Sequence, residues 1–351
     1  MQIVLNELNR SLKNIDDLID YFDLEAKMYN YRSHQILEEC EEVFVDLLNS
    51  FNNFYTEKRK FNYNTFIISL YGEFERFIED IIVAYLEEVL KIIDNYNLLP
   101  KKIIDNHFLL SLELLKKVIE PKYGGSETKE NALKNLNDCL SASTPFSLNT
   151  RAFALHSANF KHTVISEHFS KLEVENINLK IAKDRILKTF VEDYNGLSAG
   201  VEVAPDVSFF LLNDLVARRN EVAHGNFSTL LSNSEMKNYV LFFEKYCNSL
   251  VKVLNNETLK LICEFKAKLI GPVDKCFDDG KIVCFFSNNV GFKLNDVIIG
   301  KNSHEMVQSQ IIEIKVDDNN VVEVKDDSNY DVGIKVTIPF KENYELLLSQ
   351  M

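Results

Sequence analysis

The chain has no Cys-x-x-Cys pair. Its six cysteines (Cys40, Cys139, Cys247, Cys263, Cys276, Cys284) are scattered through 351 residues, which argues against both a zinc site and a disulfide framework. Most of them read as small buried hydrophobes. No apolar run approaches the roughly 20 residues that a bilayer span requires, so no membrane partner is expected. Met1 to Arg10 lacks a basic segment followed by an apolar one, so no secretion signal is expected and a cytoplasmic location is. Positive charge is also short: 39 Lys and Arg stand against 53 Asp and Glu, a net charge of −14. Non-specific affinity for a polyanion comes mostly from basic side chains neutralising phosphates, so bulk capture of nucleic acid is expected to be weak. Any such partner has to be chosen by a local site. The remaining composition, 46% hydrophobic and 26% charged, is that of a globular protein long enough for two domains, or for one large helical domain with an appendage.

Helical periodicity dominates the first three quarters. Residues 1 to 60 carry apolar stripes at helical spacing (Ile15, Leu18, Ile19, Phe22, then Ile36, Leu37, Cys40, Val43, Phe44, Leu47, Leu48) and read as a helical extension. From Tyr63 to Ile93 the stripe Phe66, Leu70, Phe74, Phe77, Ile78, Ile81, Ile82, Tyr85 marks the strongest helix. Pro100 opens another through about Ile119, and Pro121 with Gly124-Gly125-Ser126 breaks the chain. Residues 127 to 195 read as three shorter helices, of which Arg151 to Lys188 is positively balanced and is either an ordinary helix surface or a phosphate-tracking face. Its histidines His156, His162 and His168 recur every six residues, which does not stack on a helix, so no metal site is expected there. After Ser232, with Ser234 as another possible cap, a helix runs to about Leu269 with Tyr239, Phe242, Phe243, Tyr246, Leu250, Val253 and Leu254 buried. The period then changes to alternation. Six short β-branched runs around Val273, Ile282–Phe286, Val297–Ile299, Ile311–Ile314, Val321–Val324 and Val332–Val336 are divided by Asp, Asn and Gly turns, which predicts a small closed barrel. The expected fold is mainly α, a helical bundle, followed by a small all-β barrel.

One stretch concentrates reactive side chains: Arg218-Arg219-Asn220-Glu221-Val222-Ala223-His224-Gly225-Asn226-Phe227. A helix starting at Pro205-Asp206, with Asp206 as N-cap, carries Phe209, Leu212, Val216 and Ala223 on its apolar stripe, and Arg219 occupies the missing step. A guanidinium there needs a carboxylate partner, a cavity or an interface. Arg218 points about 100 degrees away and reads as solvated, with a phosphate contact as the other option. His224 lies one turn after Asn220 and before Gly225, a helix end whose dipole favours an imidazolium. Upstream, Tyr71-Gly72-Glu73-Phe74-Glu75-Arg76-Phe77 places Glu73 and Glu75 either on a solvated face or against Arg219.

Arg219-Asn220 and His224, in an all-helical setting with Ala-His-Gly at the helix end, resemble the Arg-x4-His signature of HEPN domains. Leu155 to Leu172, containing Asn159, followed by Val207 to Gly225, is similar to the RiboL-PSP type in particular. The resemblance covers about residues 60 to 262. It implies a HEPN-like helical domain over 61–262 and a metal-independent endoribonuclease with no cofactor, in which two protomers bring both motifs to one cleft. Arg219, Asn220 and His224 are then catalytic: His224 as general base or acid, Arg219 stabilising the developing charge, and Asn220 orienting His224 or the phosphate. Glu73, Glu75 and Arg218 are supporting. The expected partners are RNA, a second copy and an antitoxin or other regulator, in a growth-arrest or phage-defence role. The alternative is a noncatalytic helical interaction or RNA-binding module acting with a partner protein.

The tail has a second resemblance. Ile270-Gly271-Pro272-Val273, Leu294-Asn295-Asp296-Val297-Ile298, Val307-Gln308-Ser309-Gln310-Ile311 and Asp331 to Val336 are similar, in order and spacing, to the β-barrel domain II of translation elongation factors such as elongation factor Tu, with Asn295 where that family has Gly. This implies a barrel over 265–345 that contacts tRNA or the ribosome, or one used for protein contact. With no Gly-rich loop ending in Gly-Lys-Ser or Gly-Lys-Thr, GTP hydrolysis is not implied.

Overall fold

The computed structural model describes residues 1–35, 42–118, 127–198, 200–201, 203–225 and 229–351, without the side chains of residues 29–53, 55 and 56. Ile36, Leu37 and Cys40, the Pro121 to Ser126 break, Asn226 and Phe227 therefore lie outside the described residues, as do the side chains of Val43, Phe44, Leu47 and Leu48. Among the described residues eleven helices are followed by an eight-stranded antiparallel sheet and a separate two-stranded one. The chain divides into two compact units, one of residues 1–87 and 95–253 and one of residues 88–94 and 254–351.

The first unit is helical. It holds α1 (Gln2–Gln35), most of α2 (Glu42–Ile92), α3 (Lys101–Lys117), α4 (Lys129–Leu140), α5 (Thr150–Ala154), α6 (His162–Ser170), α7 (Ile177–Lys183), α8 (Arg185–Tyr194), α9 (Pro205–Ser208), α10 (Phe210–Ala223) and the larger part of α11 (Asn233–Phe265). The stripe expected on α2, Phe66 through Tyr85, is buried in full, with relative exposures of 3% or less. It meets α11 through aromatic edges: Phe74 lies 4.8 Å from Phe243 and Phe66 lies 6.4 Å from Tyr239, ring centre to ring centre. Fully burying side chains of this size contributes roughly 1.5–3 kcal/mol each, so this face accounts for much of the unit's stability. Ser232 caps α11 through a reciprocal pair, the Glu235 N–H donating to Ser232 Oγ (3.3 Å) and the Ser232 N–H to Glu235 Oε2 (2.6 Å).

Two local expectations change. Between residues 127 and 195 five helices replace three, because Asn176 adopts φ +55° before α7 and Asp184 caps α8 with its side chain on the Ile186 N–H. The helix carrying the Arg-His motif is interrupted. Ala204, not Asp206, is the N-cap, Pro205 takes the first helical position that suits its missing N–H, and Phe209 breaks the run at φ −113°, ψ 19°. That break lets Phe209 bury completely against Tyr246, 5.9 Å away, and His162, 5.6 Å away. Leu212 and Val216 are buried as expected, whereas Ala223 is exposed.

Two histidines in this unit make its stability acid-sensitive. His107 is fully buried; its Nε2 accepts the Asn149 N–H (3.2 Å) and its Nδ1 meets Tyr96 Oη (3.3 Å). His168 is nearly so, with Nδ1 donating to the Phe153 carbonyl (3.1 Å). Burial pulls both imidazoles down to about 4. Between pH 6.5 and 4 the unfolded chain thus binds protons that the folded one refuses, and stability falls as pH falls, by up to ~2 kcal/mol per histidine at pH 5. Urea midpoints at pH 7 and pH 5 should show this loss, and a His107→Gln variant that stays folded should show less of it.

The second unit is the sheet, joined by the last turns of α2 and α11. Its strands are β1 (Ala267–Pro272), β2 (Lys275–Phe277), β3 (Ile282–Phe286), β4 (Phe292–Lys293), β5 (Val297–Lys301), β6 (Met306–Val316), β7 (Asn319–Val321), β8 (Glu323–Val324), β9 (Asp331–Val336) and β10 (Glu345–Ser349). The main order is β1-β10-β5-β6-β9-β3-β2, with β7 on β6 and β4 paired to β8, all antiparallel. Among the described residues ten strands replace the six expected: β4 and β10 were not anticipated, the Val321–Val324 run divides into β7 and β8, and β1 and β2 flank Val273 because α11 ends at Phe265 rather than near Leu269. The two ends of the order, β1 and β2, are separated only by Val273 and Asp274, whose N–H groups bond the carbonyls of Tyr344 and Cys284 at 2.9 Å. The sheet therefore curls around a core that includes Ile270, Val283, Phe285, Ile298, Ile311, Ile334 and Leu346. The expected turns carry their positive φ angles on Asp and Asn. Asn295 sits at φ +71°, a left-handed position that Asn tolerates and Gly favours.

Candidate active site

α10 presents Arg218, Arg219 and Asn220 in its last turns and ends on His224. As C-cap residue (φ −94°, ψ 3°), His224 donates its backbone N–H to the carbonyls of Asn220 (3.1 Å) and Glu221 (3.2 Å), and its side chain is exposed. Gly225 follows at φ +71°, where a side chain would be strained, so the glycine stops the helix and leaves the imidazole at its negative end. Asn220 and His224, four residues apart, share a face. Arg219 emerges about 100 degrees from Asn220, but its head folds back, Nη1 reaching Asn220 Oδ1 at 3.4 Å.

The guanidinium of Arg219 is not paired with either expected carboxylate. Its Cζ lies over the Tyr71 ring of α2, 5.4 Å from the ring centre, a cation–π contact that holds the side chain and leaves its N–H groups for an anion. Glu73 forms its ion pair with Arg76, one turn along α2. Glu75 faces the site through other partners, Tyr71 Oη at 3.4 Å and His156 Nε2 at 3.7 Å. The reason is rotational: Tyr71, Glu75 and Glu79 recur every four residues and share the face toward the motif, while Glu73 points elsewhere.

Arg218 overturns its expected solvated role. Its Nε donates to Asp214 Oδ2 (2.6 Å) and Tyr239 Oη (3.3 Å), and its Nη1 to Tyr63 Oη (3.1 Å) and the Thr229 carbonyl (2.8 Å). Burial works against its charge, but the bonds to Tyr63, Asp214 and Tyr239 outweigh that and raise its proton affinity. Arg218 thus ties α10 to α2, to α11 and to the segment leading into α11. It is the anchored arginine, and Arg219 is the one left facing the site.

Four residues at the site were not among the expected ones: Tyr71, Glu79, His156 and Asn159. Asn159 donates Nδ2–H to Asn220 Oδ1 at 2.7 Å, and its own Oδ1 faces Tyr71 Oη at 3.2 Å. Tyr71 Oη also accepts the Phe160 N–H at 3.2 Å. Burial, then the Glu75 carboxylate, push the Tyr71 phenol far above its ordinary range, so it stays protonated. His156 sets Nε2 against Glu79 Oε1 (2.8 Å) and Nδ1 against the Ala158 carbonyl (3.1 Å). The four-residue spacing of Tyr71, Glu75 and Glu79 was a readable signal. Asn159 and His156 come from a loop, and nothing periodic marks a loop residue.

The Arg151 to Lys188 stretch does not form one basic face. Arg151 pairs with Asp80 at 2.9 Å, and the three histidines turn to different partners: His156 to Glu79, His162 to Asn213, His168 to a backbone carbonyl. Among the described residues no group of three His, Cys, Asp or Glu side chains is arranged to hold a metal ion, the five described cysteines carry free thiols, and no helix is long and apolar enough to cross a membrane.

No curated protein matches the chain. The family model for RiboL-PSP-HEPN matches residues 34–256, starting earlier than the resemblance read from residue 60 and ending close to it. That span covers well over half of the chain and contains Tyr71, Asn159, Arg219, Asn220 and His224, so the chain belongs to the RiboL-PSP-HEPN family.

Proposed function

We infer that the protein is a metal-independent endoribonuclease whose complete site is built by two copies of the chain. The family is one whose members are typically ribonucleases. The observation that carries the reading is the end of α10, where half-buried Asn220 touches Arg219 at 3.4 Å and exposed His224 stands one turn further at the helix end. Cleavage needs a base for the ribose 2′-hydroxyl, a cation for the charged phosphorane and an acid for the leaving 5′-oxygen. One copy supplies a single exposed imidazole, that of His224, because His156 is largely buried against Glu79, and a single guanidinium without a carboxylate partner. Two copies facing each other supply a base and an acid in separate histidines, with Arg219 at the phosphate. His224 of one chain removes the 2′-proton, the 2′-oxygen attacks phosphorus, and His224 of the other protonates the departing 5′-oxygen.

The products are then a 2′,3′-cyclic phosphate and a 5′-hydroxyl. An oligoribonucleotide incubated with the full chain in EDTA should yield these ends, and the all-deoxy oligonucleotide should remain intact. Cleavage of the deoxy strand, or 3′-hydroxyl products, would sink the mechanism. With a net charge of −14, substrate choice comes from directed contacts, and the curled sheet fits a role in steering the nuclease to tRNA or ribosome-bound RNA. The same assay on a chain ending at residue 264 reads that role: an unchanged set of cut sites removes it. A role in growth arrest or phage defence, restrained by an antitoxin or another regulator, is part of the same proposal and is read by whether expression of the active chain halts growth.

A further inference from the structure

The orientation of the Asn220 amide follows from its neighbours. Arg219 is a donor at every nitrogen and accepts nothing, so the Asn220 atom it faces at 3.4 Å is the carbonyl oxygen. The same oxygen receives Asn159 Nδ2–H at 2.7 Å, which in turn makes the other end of Asn159 its own carbonyl oxygen, directed at Tyr71 Oη 3.2 Å away. The phenol closes the chain: it accepts the Phe160 N–H and has one hydrogen to give, toward Asn159 Oδ1 or Glu75 Oε1. Every link is polarised in one direction: reversing Asn220 would set donor against donor at Arg219, and reversing Asn159 alone would set acceptor against acceptor at Asn220. Because Asn220 uses its oxygen inward, its NH2 end is directed away from Arg219 and Asn159.

We propose that Tyr71 and Asn159 are positioning residues that lock Asn220 as a donor to a non-bridging oxygen of the scissile phosphodiester, and that Asn220 acts on the phosphate rather than on His224. This rests on the ribonuclease reading. The ligand chemistry is set by the polarity: an NH2 group next to a guanidinium held by a ring face makes two adjacent donor groups, which suit the paired oxygens of a phosphodiester. An amide oxygen there would repel them. Asn159 spans from α2 to α10 and belongs to a short loop whose other end is fixed by His156 on Glu79 at 2.8 Å, so the amide is held from a rigid frame.

The test is a double-mutant cycle on RNA cleavage by the full chain. In Asn159→Asp both side-chain oxygens accept, so Asn220 Oδ1 loses its nearer donor and faces an acceptor, and the amide is no longer held with its NH2 toward the phosphate. Tyr71→Phe keeps the ring under Arg219 and removes only the hydroxyl. Asn159→Asp should lose about 100-fold in kcat, and Tyr71→Phe about fivefold, with unfolding temperatures near that of the parent. In an Asn220→Ala background, both substitutions should cost less than about twofold, because the group they orient is gone. A purely structural role would leave the costs the same in both backgrounds. Costs that multiply, with His224→Ala inactive, overturn this proposal alone. Cleavage by His224→Ala at the parent rate overturns the nuclease reading and this proposal with it. Should Asn159→Asp not fold, Tyr71→Phe in the two backgrounds decides by the same criterion.

Discussion

His224→Ala is expected to remove RNA cleavage while leaving the protein folded. The imidazole is exposed, and its structural contribution goes through the backbone N–H, which alanine keeps. Surface substitutions of this kind change stability by less than about 0.5 kcal/mol. Losing one positioned general acid or base costs about 10²- to 10⁴-fold in rate, and in a two-copy site a single substitution removes both the base and the acid. The loss therefore falls toward the larger value. Cleavage rate, unfolding temperature and oligomeric state measured on one preparation give the answer. A folded variant that cuts at the parent rate would show that His224 only ends a helix, and the noncatalytic interaction module would take its place. Mixing His224→Ala with an Arg219→Ala chain adds a sharper reading, because a site shared between copies should regain part of its activity in mixed dimers.

Arg218→Ala and Arg219→Ala should separate stability from activity. Arg218 holds four acceptors, one on its own helix and three on other parts of the helical unit, and its removal leaves Asp214, itself half-buried, without its cation. Breaking an ion pair of this kind costs about 3 kcal/mol. Lysine should not restore it, since one ammonium cannot reach Asp214, Tyr63 and the Thr229 carbonyl from a single point. Arg219→Ala forfeits a cation–π contact of about 0.5–1 kcal/mol, yet should cost about 10²- to 10³-fold in kcat as the cation at the phosphorane is lost. Denaturant midpoints and cleavage rates for the two variants form a crossed pattern. Equal destabilisation by both would remove the division of labour between the two arginines.

That division inverts what helix periodicity implies. Arg219 falls on a step of the buried stripe and so reads as the anchored residue; Arg218 lies off it and reads as solvated. The interruption at Phe209 shifts which residues of α10 face the core, so that Leu211 and Leu215 are buried beside Leu212 and Val216. Arg218 is then drawn inward by Asp214, one turn before it, and by two tyrosines more than 20 and 150 residues away in sequence. Pairing over such separations leaves no trace in local spacing. Glu73 and Glu75 carry the same lesson, for the rotation of α2 sends one to Arg76 and the other to the site.

By itself the sequence determined the helical class of the described residues that precede the sheet, the change to alternation after them, the buried stripes of α2 and α11, the turns of the sheet and the exposed end of α10 at His224 and Gly225. These are short-range consequences of side-chain period, cap chemistry and the steric freedom of Gly, Asn and Asp, all written within a few residues. Only the tertiary structure decided that Arg219 lies over Tyr71, that Asn159 turns the Asn220 amide, that Arg218 is the structural arginine and that the first and last strands of the sheet lie side by side. Each of those depends on which face of one element meets which face of another. That choice is made by the packing of the whole core, which no local pattern records.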